Sequence, residues 1–371
     1  MAGLYIHIPF CKSRCIYCAF YSTTHLGQRQ RYVDALCREM AMRGRQDIST
    51  IYLGGGTPSQ LTADQLRQLF ETIHIYNKVT PDAEVTIEVN PDDVTPTLCA
   101  TLPRLGVNRV SMGAQTFDNQ RLRFLHRRHT ADQVSQAVKQ LRDSGIGNIS
   151  IDLMYGFPHE TLDNWRHDID AALALQVEHL SAYCLMVEEG TPLHRMGIDA
   201  CNEELEREMY EELIDRLTAA GYEHYEISNF AKPGYRSRHN SSYWQDTPYV
   251  GIGAAAHSYN PPLTPPEGMG IRSWNVADLD EYMAGMERGE RLMEQELIDG
   301  DTHYNDRITV ALRTRDGLNL SLLTERQRSY CLKEAQRFLD DGLLQLHGGH
   351  LSLTRNGLFV SDYIMSELIM V

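Results

Sequence analysis

The chain lacks any long apolar run. Apolar residues make up 42% of its 371 residues. No segment, however, approaches the ~20 consecutive apolar residues that a membrane-spanning helix needs. The first residues, 1–5, do not place a basic segment before an apolar one and so do not resemble a secretory signal. We therefore expect a soluble, cytoplasmic protein with a sizeable buried core.

Basic charge is also scarce. The chain has 35 Lys and Arg against 50 Asp and Glu, which gives a formal net charge of −15. Such a chain lacks the broad basic surface of a general nucleic-acid binder. It also lacks the polybasic segment of a membrane-surface anchor. The charge therefore argues against nucleic acid and membrane surfaces as partners.

Cysteine is infrequent and unevenly spread. The chain has eight cysteines, and three of them crowd between residues 11 and 18. Disulfide-stabilised domains are small and rich in cysteine, and this chain is neither. We interpret the five scattered cysteines as small buried apolar residues. They are Cys37, Cys99, Cys184, Cys201 and Cys331.

What the sequence does have is a regular alternation of short apolar runs and helical patterns over its first ~230 residues, which is typical of βαβ units. Capping boxes open two of the helical patterns, at Thr62 and Thr130. Six units predict an α/β fold of the partial (β/α)6, TIM-like barrel type, with a flat doubly wound sheet as the alternative. The apolar runs cover residues 4–8, 49–53, 84–89, 109–112, 148–154 and 179–186.

The rest of the chain changes character. Residues 231–300 are less regular, and four prolines within 260–268 predict a loop there. From residue 301 onward, a helical pattern over 330–339 precedes a hairpin that turns at 347–350. Helix followed by hairpin resembles a winged helix. We therefore expect a barrel over 1–230, an irregular segment over 231–300 and a small α+β, winged-helix-like domain over 301–371.

Cys11, Cys15 and Cys18 form a C-x3-C-x2-C motif directly after the first apolar run. Three thiolates can hold three irons of a four-iron cluster and leave the fourth iron open to an exchangeable ligand. A structural zinc site is the alternative. It prefers four ligands with pairs spaced C-x2-C, and the sequence has no second pair. The spacing favours a 4Fe–4S cluster with these three cysteines as metal ligands.

This motif after a first strand resembles the radical SAM superfamily. The resemblance implies that S-adenosylmethionine (SAM) chelates the open iron through its amino and carboxylate groups. It also implies that one electron from the cluster cleaves the S–C5′ bond of SAM and gives a 5′-deoxyadenosyl radical. We therefore expect two cofactors, a 4Fe–4S cluster and SAM.

Residues in the first apolar run, in the cysteine motif and near the ends of the later strands match the cofactor contacts that this resemblance implies. Glycines let the backbone approach a ligand, carboxylates and amides can hold ribose hydroxyls, and a guanidinium suits a carboxylate. Ordinary roles in turns, surface ion pairs and solvated helices are the alternatives. The implied contacts are Tyr5, Tyr17, Gly55, Gly56, Thr57, Glu88, Gln115, Arg127 and Asp152.

The order of these residues resembles the oxygen-independent coproporphyrinogen oxidase subgroup, which contains HemN oxidases and HemW heme chaperones. The oxidases carry another cysteine two residues past the cluster motif, where this chain has Phe20. They also carry an N-terminal extension, which we do not expect here because the first cluster ligand is already Cys11. Residues 239–244, His-Asn-Ser-Ser-Tyr-Trp, match the H-N-x-x-Y-W motif of the HemW branch.

That motif implies heme as a further ligand. Imidazole is a standard axial ligand for heme iron, which makes His239 the leading candidate, and Tyr243 and Trp244 could form an aromatic wall against the macrocycle. Without the resemblance, His239 would be an ordinary loop histidine. His257 is a second candidate, whose alternative is a satisfied histidine at a tight turn. Arg272 is a candidate partner for a propionate on charge alone.

Three functions stay open. The favoured one is a heme chaperone that binds heme near His239 and transfers it to an acceptor such as a respiratory enzyme. The second is a radical enzyme that oxidatively decarboxylates coproporphyrinogen III. The third is a nucleic-acid-binding protein, which the winged-helix-like tail suggests and the acidic charge opposes. We expect a core capable of SAM cleavage but no coproporphyrinogen dehydrogenase activity, and a homodimer remains an option.

Overall fold

A computed structural model describes residues 1–198, 201–262 and 268–370. The proline-rich loop that the sequence predicts at 260–268 therefore lies mostly outside the described residues. Within them, twelve strands form one sheet in the order β12-β11-β10-β9-β1-β2-β3-β4-β5-β6-β8-β7. A second, three-stranded sheet lies near the C-terminus.

The first six strands are parallel, and each pairs with the next along the chain. This confirms the predicted α/β fold with six strand–helix units. The strands are β1 (Ala2–Ile8), β2 (Gln46–Gly55), β3 (Asn77–Val89), β4 (Arg109–Gln115), β5 (Asn148–Tyr155) and β6 (His179–Cys184). The helices among and after them are α1 (Arg29–Arg43), α2 (Ala63–Tyr76), α3 (Pro96–Thr101), α4 (Asn119–Phe124), α5 (Ala131–Asp143), α6 (Leu162–Ala174), α7 (Pro192–Arg195) and α8 (Glu203–Ala219).

Local sequence signals set several of these helix boundaries. The capping box that opens α2 is complete, because Gln65 N donates to Thr62 Oγ1 (3.2 Å) and Thr62 N donates to Gln65 Oε1 (2.9 Å). At the start of α5, Thr130 N likewise donates to Gln133 Oε1 (2.8 Å). Both predicted helix starts are therefore confirmed.

The sheet curls into a partial barrel. Its outward side chains, such as Ile6, Leu53 and Ile151, pack with α1, α2, α5, α6 and α8 in one large apolar core. Its inward side chains are largely polar and surround one cavity, to which β2 through β6 all contribute. Because one face is apolar and the other encloses a polar cavity, the barrel prediction is correct and the flat doubly wound alternative is not.

Residues 231–300 are more regular than the sequence predicted. The reason is that their strands are short and pair with distant partners. β9 lies parallel to β1, and β10 to β12 continue the sheet antiparallel. The elements from the end of the barrel onward are β7 (Glu223–Glu226), β8 (Asn229–Ala231), α9 (Arg238–Trp244), β9 (Tyr249–Ile252), β10 (His257–Asn260), β11 (Gly270–Asn275), α10 (Leu279–Arg288) and β12 (Met293–Ile298).

The C-terminal residues build a small module with its own apolar core, which includes Ile308, Phe338 and Ile364. The predicted helix followed by a hairpin is present, with the turn at Gly348–Gly349 between β14 and β15. None of the helices in the described ranges combines the length and apolarity needed to cross a membrane. The module comprises α11 (Gly300–Ala311), β13 (Leu318–Asn319), α12 (Glu325–Asp340), β14 (Leu344–His347), β15 (His350–Leu353) and α13 (Ser361–Leu368).

Candidate cofactor and heme site

The three clustered cysteines lie on a loop that follows β1 and closes over the carboxyl end of the barrel. Backbone bonds hold this loop, with Cys11 N donating to Thr23 O (2.9 Å) and Ile16 N donating to Leu125 O (3.3 Å). Ile16 is buried in a small apolar cluster away from the main core. All three cysteines, together with Tyr17, line the barrel cavity, whose volume is about 500 Å³.

The thiols fit a cluster better than a single metal ion. Each thiolate of a 4Fe–4S site binds a different iron, so the sulfurs do not have to converge on one point. Among the described residues, no group of three His, Cys, Asp or Glu side chains could hold one ion, and a structural zinc site would need such a group. Burial raises the pKa of Cys11 and of Cys18, and a bound metal would favour the ionised thiolates.

The glycine loop after β2 requires residues without side chains. Gly55 has a φ of 110°. A Cβ there would lie 2.4 Å from His7 Cε1, and a Cβ at Gly56 would lie 2.7 Å from the Pro9 carbonyl carbon. The loop therefore passes close to the end of β1 and lines the cavity with residues that have no side chain.

His7 braces this contact as a neutral imidazole. Burial lowers its pKa to about 4. Its Nε2 lies 3.0 Å from the Tyr21 carbonyl and its Nδ1 lies 3.0 Å from the Tyr5 hydroxyl. Since the carbonyl only accepts, Nε2 carries the proton and Nδ1 accepts from Tyr5. Tyr5 is the one implied SAM contact that does not line the cavity; the other eight do.

Two carboxyl groups face the cavity from β3 and β5. Tyr52 O–H donates to Glu88 Oε1 (2.7 Å) and Gly55 N donates to Glu88 Oε2 (3.1 Å). Burial nevertheless raises the pKa of Glu88 to about 7. The Ser111 hydroxyl lies 3.3 Å from both carboxylate oxygens of Asp152, and burial raises the pKa of Asp152 as well.

Two guanidinium groups accompany these acids. Arg127 Nη2 donates to Asn90 Oδ1 (2.7 Å) and to the Gly113 carbonyl, and its Nη1 lies 3.6 Å from Cys15 Sγ. Arg109 is only 1% exposed and lines the cavity, yet its Nε and Nη1 have no hydrogen-bond partner among the described residues. Its charge lowers the pKa values of Glu88 and Asp152, although burial outweighs it.

Gln115, Asn90 and Arg109 also line the cavity, and the sequence analysis did not predict the last two. Gln115 has a φ of 69°, which is uncommon for a residue with a side chain and typical of functional positions. Sequence reasoning missed Asn90 and Arg109. Arg109 carried a usable signal, because a charge at the start of an otherwise apolar strand needs a reason. Asn90 carried none beyond its place at the end of β3.

The H-N-x-x-Y-W motif lies within α9. This helix packs against Thr50 of β2 and Glu84 of β3, at the end of the barrel away from the cysteine loop, which we call the barrel floor. His239 is 0% exposed, and its backbone N donates to Glu84 Oε1 (2.9 Å). Its Nδ1 lies 2.8 Å from Thr50 Oγ1 and its Nε2 lies 2.9 Å from the Tyr243 hydroxyl. Burial lowers the pKa of His239 to about 3. It is therefore a buried helical residue rather than a loop residue, and neither ring nitrogen is free in this structure.

The other heme candidates have different surroundings. Trp244 lies beside the guanidinium of Arg313 (5.5 Å) and so joins α9 to the C-terminal module. His257 is exposed and stacks on Trp274, with ring centroids 5.7 Å apart. Arg272 pairs with Glu296 (2.6 Å) and Asp306 (2.7 Å). The structure therefore brings the cluster and SAM candidates together but keeps His257 and Arg272 on a separate surface.

Comparisons with known proteins agree with this architecture. Residues 5–172 match the model of the radical SAM superfamily, and residues 298–360 match that of the HemN C-terminal domain. Over its full length the fold resembles the crystal structure of coproporphyrinogen III oxidase (HemN) from Escherichia coli. The TM-score is 0.85 at 23% identity, over 100% of this chain and 90% of that one. The fold and the site thus define a radical SAM protein.

Closer relatives narrow this class. The chain is 34% identical to the heme chaperone HemW of Mycobacterium tuberculosis, over 99% of this chain and 94% of that protein. It is 36% identical to the heme chaperone HemW of Bacillus subtilis, over 88% and 87% of the two chains. The chain belongs to the HemW family of the radical SAM superfamily.

Proposed function

We propose that the protein is a heme chaperone that carries a SAM-bound 4Fe–4S cluster. The observation that carries this proposal is the barrel cavity, which is lined by the three cysteines and by eight of the nine implied cofactor contacts. The relatives support the heme part, because those at 34% and 36% identity are named heme chaperones. Heme would be handed to an acceptor such as a respiratory enzyme, by a monomer or a homodimer.

In this proposal different cavity residues bind different parts of the cluster and SAM. Cys11, Cys15 and Cys18 would each hold one iron, and the cluster with SAM would supply one-electron chemistry at the S–C5′ bond. The backbone at Gly55 and Gly56 would meet the methionyl end of SAM. Glu88, Gln115 and Asp152 would hold the amino group and ribose hydroxyls, and Arg127 the carboxylate.

In the same proposal, three consecutive parts of the chain have different roles. Residues 1–230 would supply the cofactor barrel, residues 231–300 the heme motif and residues 301–371 a packing module. Heme would bind near His239, since the next motif residue, Asn240, reaches the cavity wall. Ligation by His239 Nε2 would require its hydrogen bond with Tyr243 to open. His257 is the competing ligand, because its ring is already exposed.

Titration of hemin into anaerobically reconstituted protein tests this proposal. We expect saturable one-to-one binding, followed by the heme absorption band, that weakens at least tenfold in His239→Ala. His257→Ala is the matched control, and the cluster absorbance of each variant reports on folding. If hemin binding weakened only in His257→Ala, the axial ligand would be His257 on β10 and not His239. No binding by the wild type, together with vinyl product from coproporphyrinogen III, would replace the chaperone with the oxidase.

A further inference from the structure

Three large apolar side chains are exposed at the mouth of the cofactor cavity. Phe20 is 71% exposed, Met186 is 67% exposed and Tyr183 is 43% exposed, and all three line the same cavity. Phe20 comes from the cysteine loop, whereas Tyr183 and Met186 come from the end of β6 and the residues after it. We call these three residues the apolar rim. Grouped exposed apolar residues at an opening mark a binding surface, whereas scattered ones do not.

Charge is distributed unequally across this mouth. Arg14, on the cysteine loop, and Glu188, beyond β6, both line the cavity and are exposed. In the part of the chain that the structure describes, neither takes part in a recorded ion pair. The loop side of the mouth therefore presents a cation and the β6 side an anion.

We propose that the apolar rim is the surface on which a tetrapyrrole carboxylic acid, such as heme, first docks from solvent. This inference rests on the proposed function and names the place where its ligand arrives. A rigid, flat, apolar macrocycle can contact aromatic and methionine side chains from two segments at once. Its propionates would point toward Arg14 and away from Glu188.

The geometry of the motif makes such a surface necessary. His239 is fully buried and both its ring nitrogens are hydrogen-bonded, so heme arriving from solvent cannot meet this imidazole first. The rim, in contrast, is exposed and opens into the cavity that Asn240 of the motif also lines. Heme can therefore dock on the rim before any rearrangement at His239.

The first arm of the test removes the apolar contact. Hemin is titrated into reconstituted protein carrying Phe20→Ser with Met186→Ser, and we expect the Kd to rise at least tenfold. Ile75→Ser with Leu297→Ser is the matched control, because these side chains are exposed to similar extents, 69% and 61%, away from the cavity. Met186→Ser alone, outside the cysteine loop, is measured as well in case the double variant loses its cluster.

The second arm tests the orientation. Arg14→Gln should weaken hemin binding about twofold to fivefold and Glu188→Gln should strengthen it, as expected for single exposed charges. With hemin dimethyl ester, whose propionates are neutral, both effects should vanish. Equal effects with hemin and its ester would overturn the orientation.

The outcomes separate this inference from the proposed function. If the wild type binds hemin and both rim variants bind it equally well, the rim is not the docking surface and the chaperone proposal stands. If the wild type does not bind hemin, the chaperone proposal fails and the rim fails with it. If the control variants weaken binding as much as the rim variants, the apolar contact is nonspecific and the inference is wrong.

Discussion

The cavity and the floor of the barrel differ in how their buried polar groups are hydrogen-bonded. At the cavity, Arg109 leaves two guanidinium nitrogens without partners, and the pKa of Glu88 rises to about 7. At the floor, His179 bonds Ser150 (2.8 Å) and Tyr225 (2.7 Å), and both nitrogens of His239 are also engaged. Both regions are polar, but the two floor histidines have both ring nitrogens hydrogen-bonded, whereas Arg109 does not have all its nitrogens paired.

This difference separates binding surfaces from scaffold. A buried polar group without a partner is costly, so a protein keeps one where a ligand or ordered water completes it. A satisfied network instead fixes one packing arrangement. On this basis, Arg109 belongs to the ligand side, whereas His239 in this conformation belongs to the scaffold. Glu88 also belongs to the ligand side, because burial raises its pKa although both carboxylate oxygens accept hydrogen bonds.

The largest effect is expected at the cluster. Cys15→Ala should lower the iron and acid-labile sulfide content of reconstituted protein more than tenfold, because three thiolates are the minimum set for this cluster. Cys37→Ala, a half-buried cysteine on α1, is the matched control and should keep full iron content. Full iron and sulfide in Cys15→Ala, or one zinc and no sulfide in the wild type, would contradict the cluster assignment.

A large loss of stability is expected at the floor. His239→Ala removes two side-chain hydrogen bonds and leaves the buried hydroxyl of Thr50 unpaired, so it should cost about 2–4 kcal/mol in urea unfolding. His257→Ala, at an exposed ring, should change the free energy of unfolding by less than about 0.5 kcal/mol. Equal costs for the two variants would show that His239 is not a scaffold residue.

A moderate effect of pH is expected at Glu88. Its pKa of about 7 means that the carboxyl gains a proton as pH falls through 7 and loses the negative charge that would attract SAM. The Kd for SAM should therefore rise about tenfold between pH 8 and pH 6, by the proton-binding equilibrium alone. In Glu88→Gln the binding should be weaker and nearly independent of pH. An unchanged pH profile in that variant would assign the titration to another group.

The smallest effect is expected between α9 and the C-terminal module. Arg313→Gln removes the cation–π contact with Trp244 and the ion pair with Glu226 (3.2 Å). Arg313 is partly exposed, and the buried Glu226 keeps its hydrogen bonds from Ser228 N and Asn229 Nδ2. We therefore expect a loss of about 0.5–1.5 kcal/mol in unfolding and little change in iron content. Arg104→Gln, at an exposed arginine of the barrel, should change neither.

The sequence predicted the local parts of this molecule well. Periodic patterns and capping boxes are local signals, so α2, α5 and the six parallel strands appear where they were expected. β3 begins earlier than its apolar run, at Asn77, because its polar first residues pair with Gln46–Ile48 of β2. A pairing of this kind depends on a neighbouring strand and leaves no signal in the strand itself.

Features that depend on contacts between distant segments could not be predicted from the sequence for the same reason. β9 has four residues and owes its place to β1, which lies far earlier in the chain. The burial of His239 depends on Thr50, Glu84 and Tyr243 meeting at the floor. The motif resemblance correctly selected eight residues that line one cavity, but it gave no indication that His239 would be buried.

Hydrogen–deuterium exchange on reconstituted protein, with and without one equivalent of hemin, tests the contrast between cavity and floor most directly. We predict new protection in peptides that contain the cysteine loop and the apolar rim, residues 11–23 and 181–188, before any change in α9. Protection confined to α9, or to β10 and β11 around His257, with the cavity mouth unchanged, would show that heme does not dock at the cavity mouth.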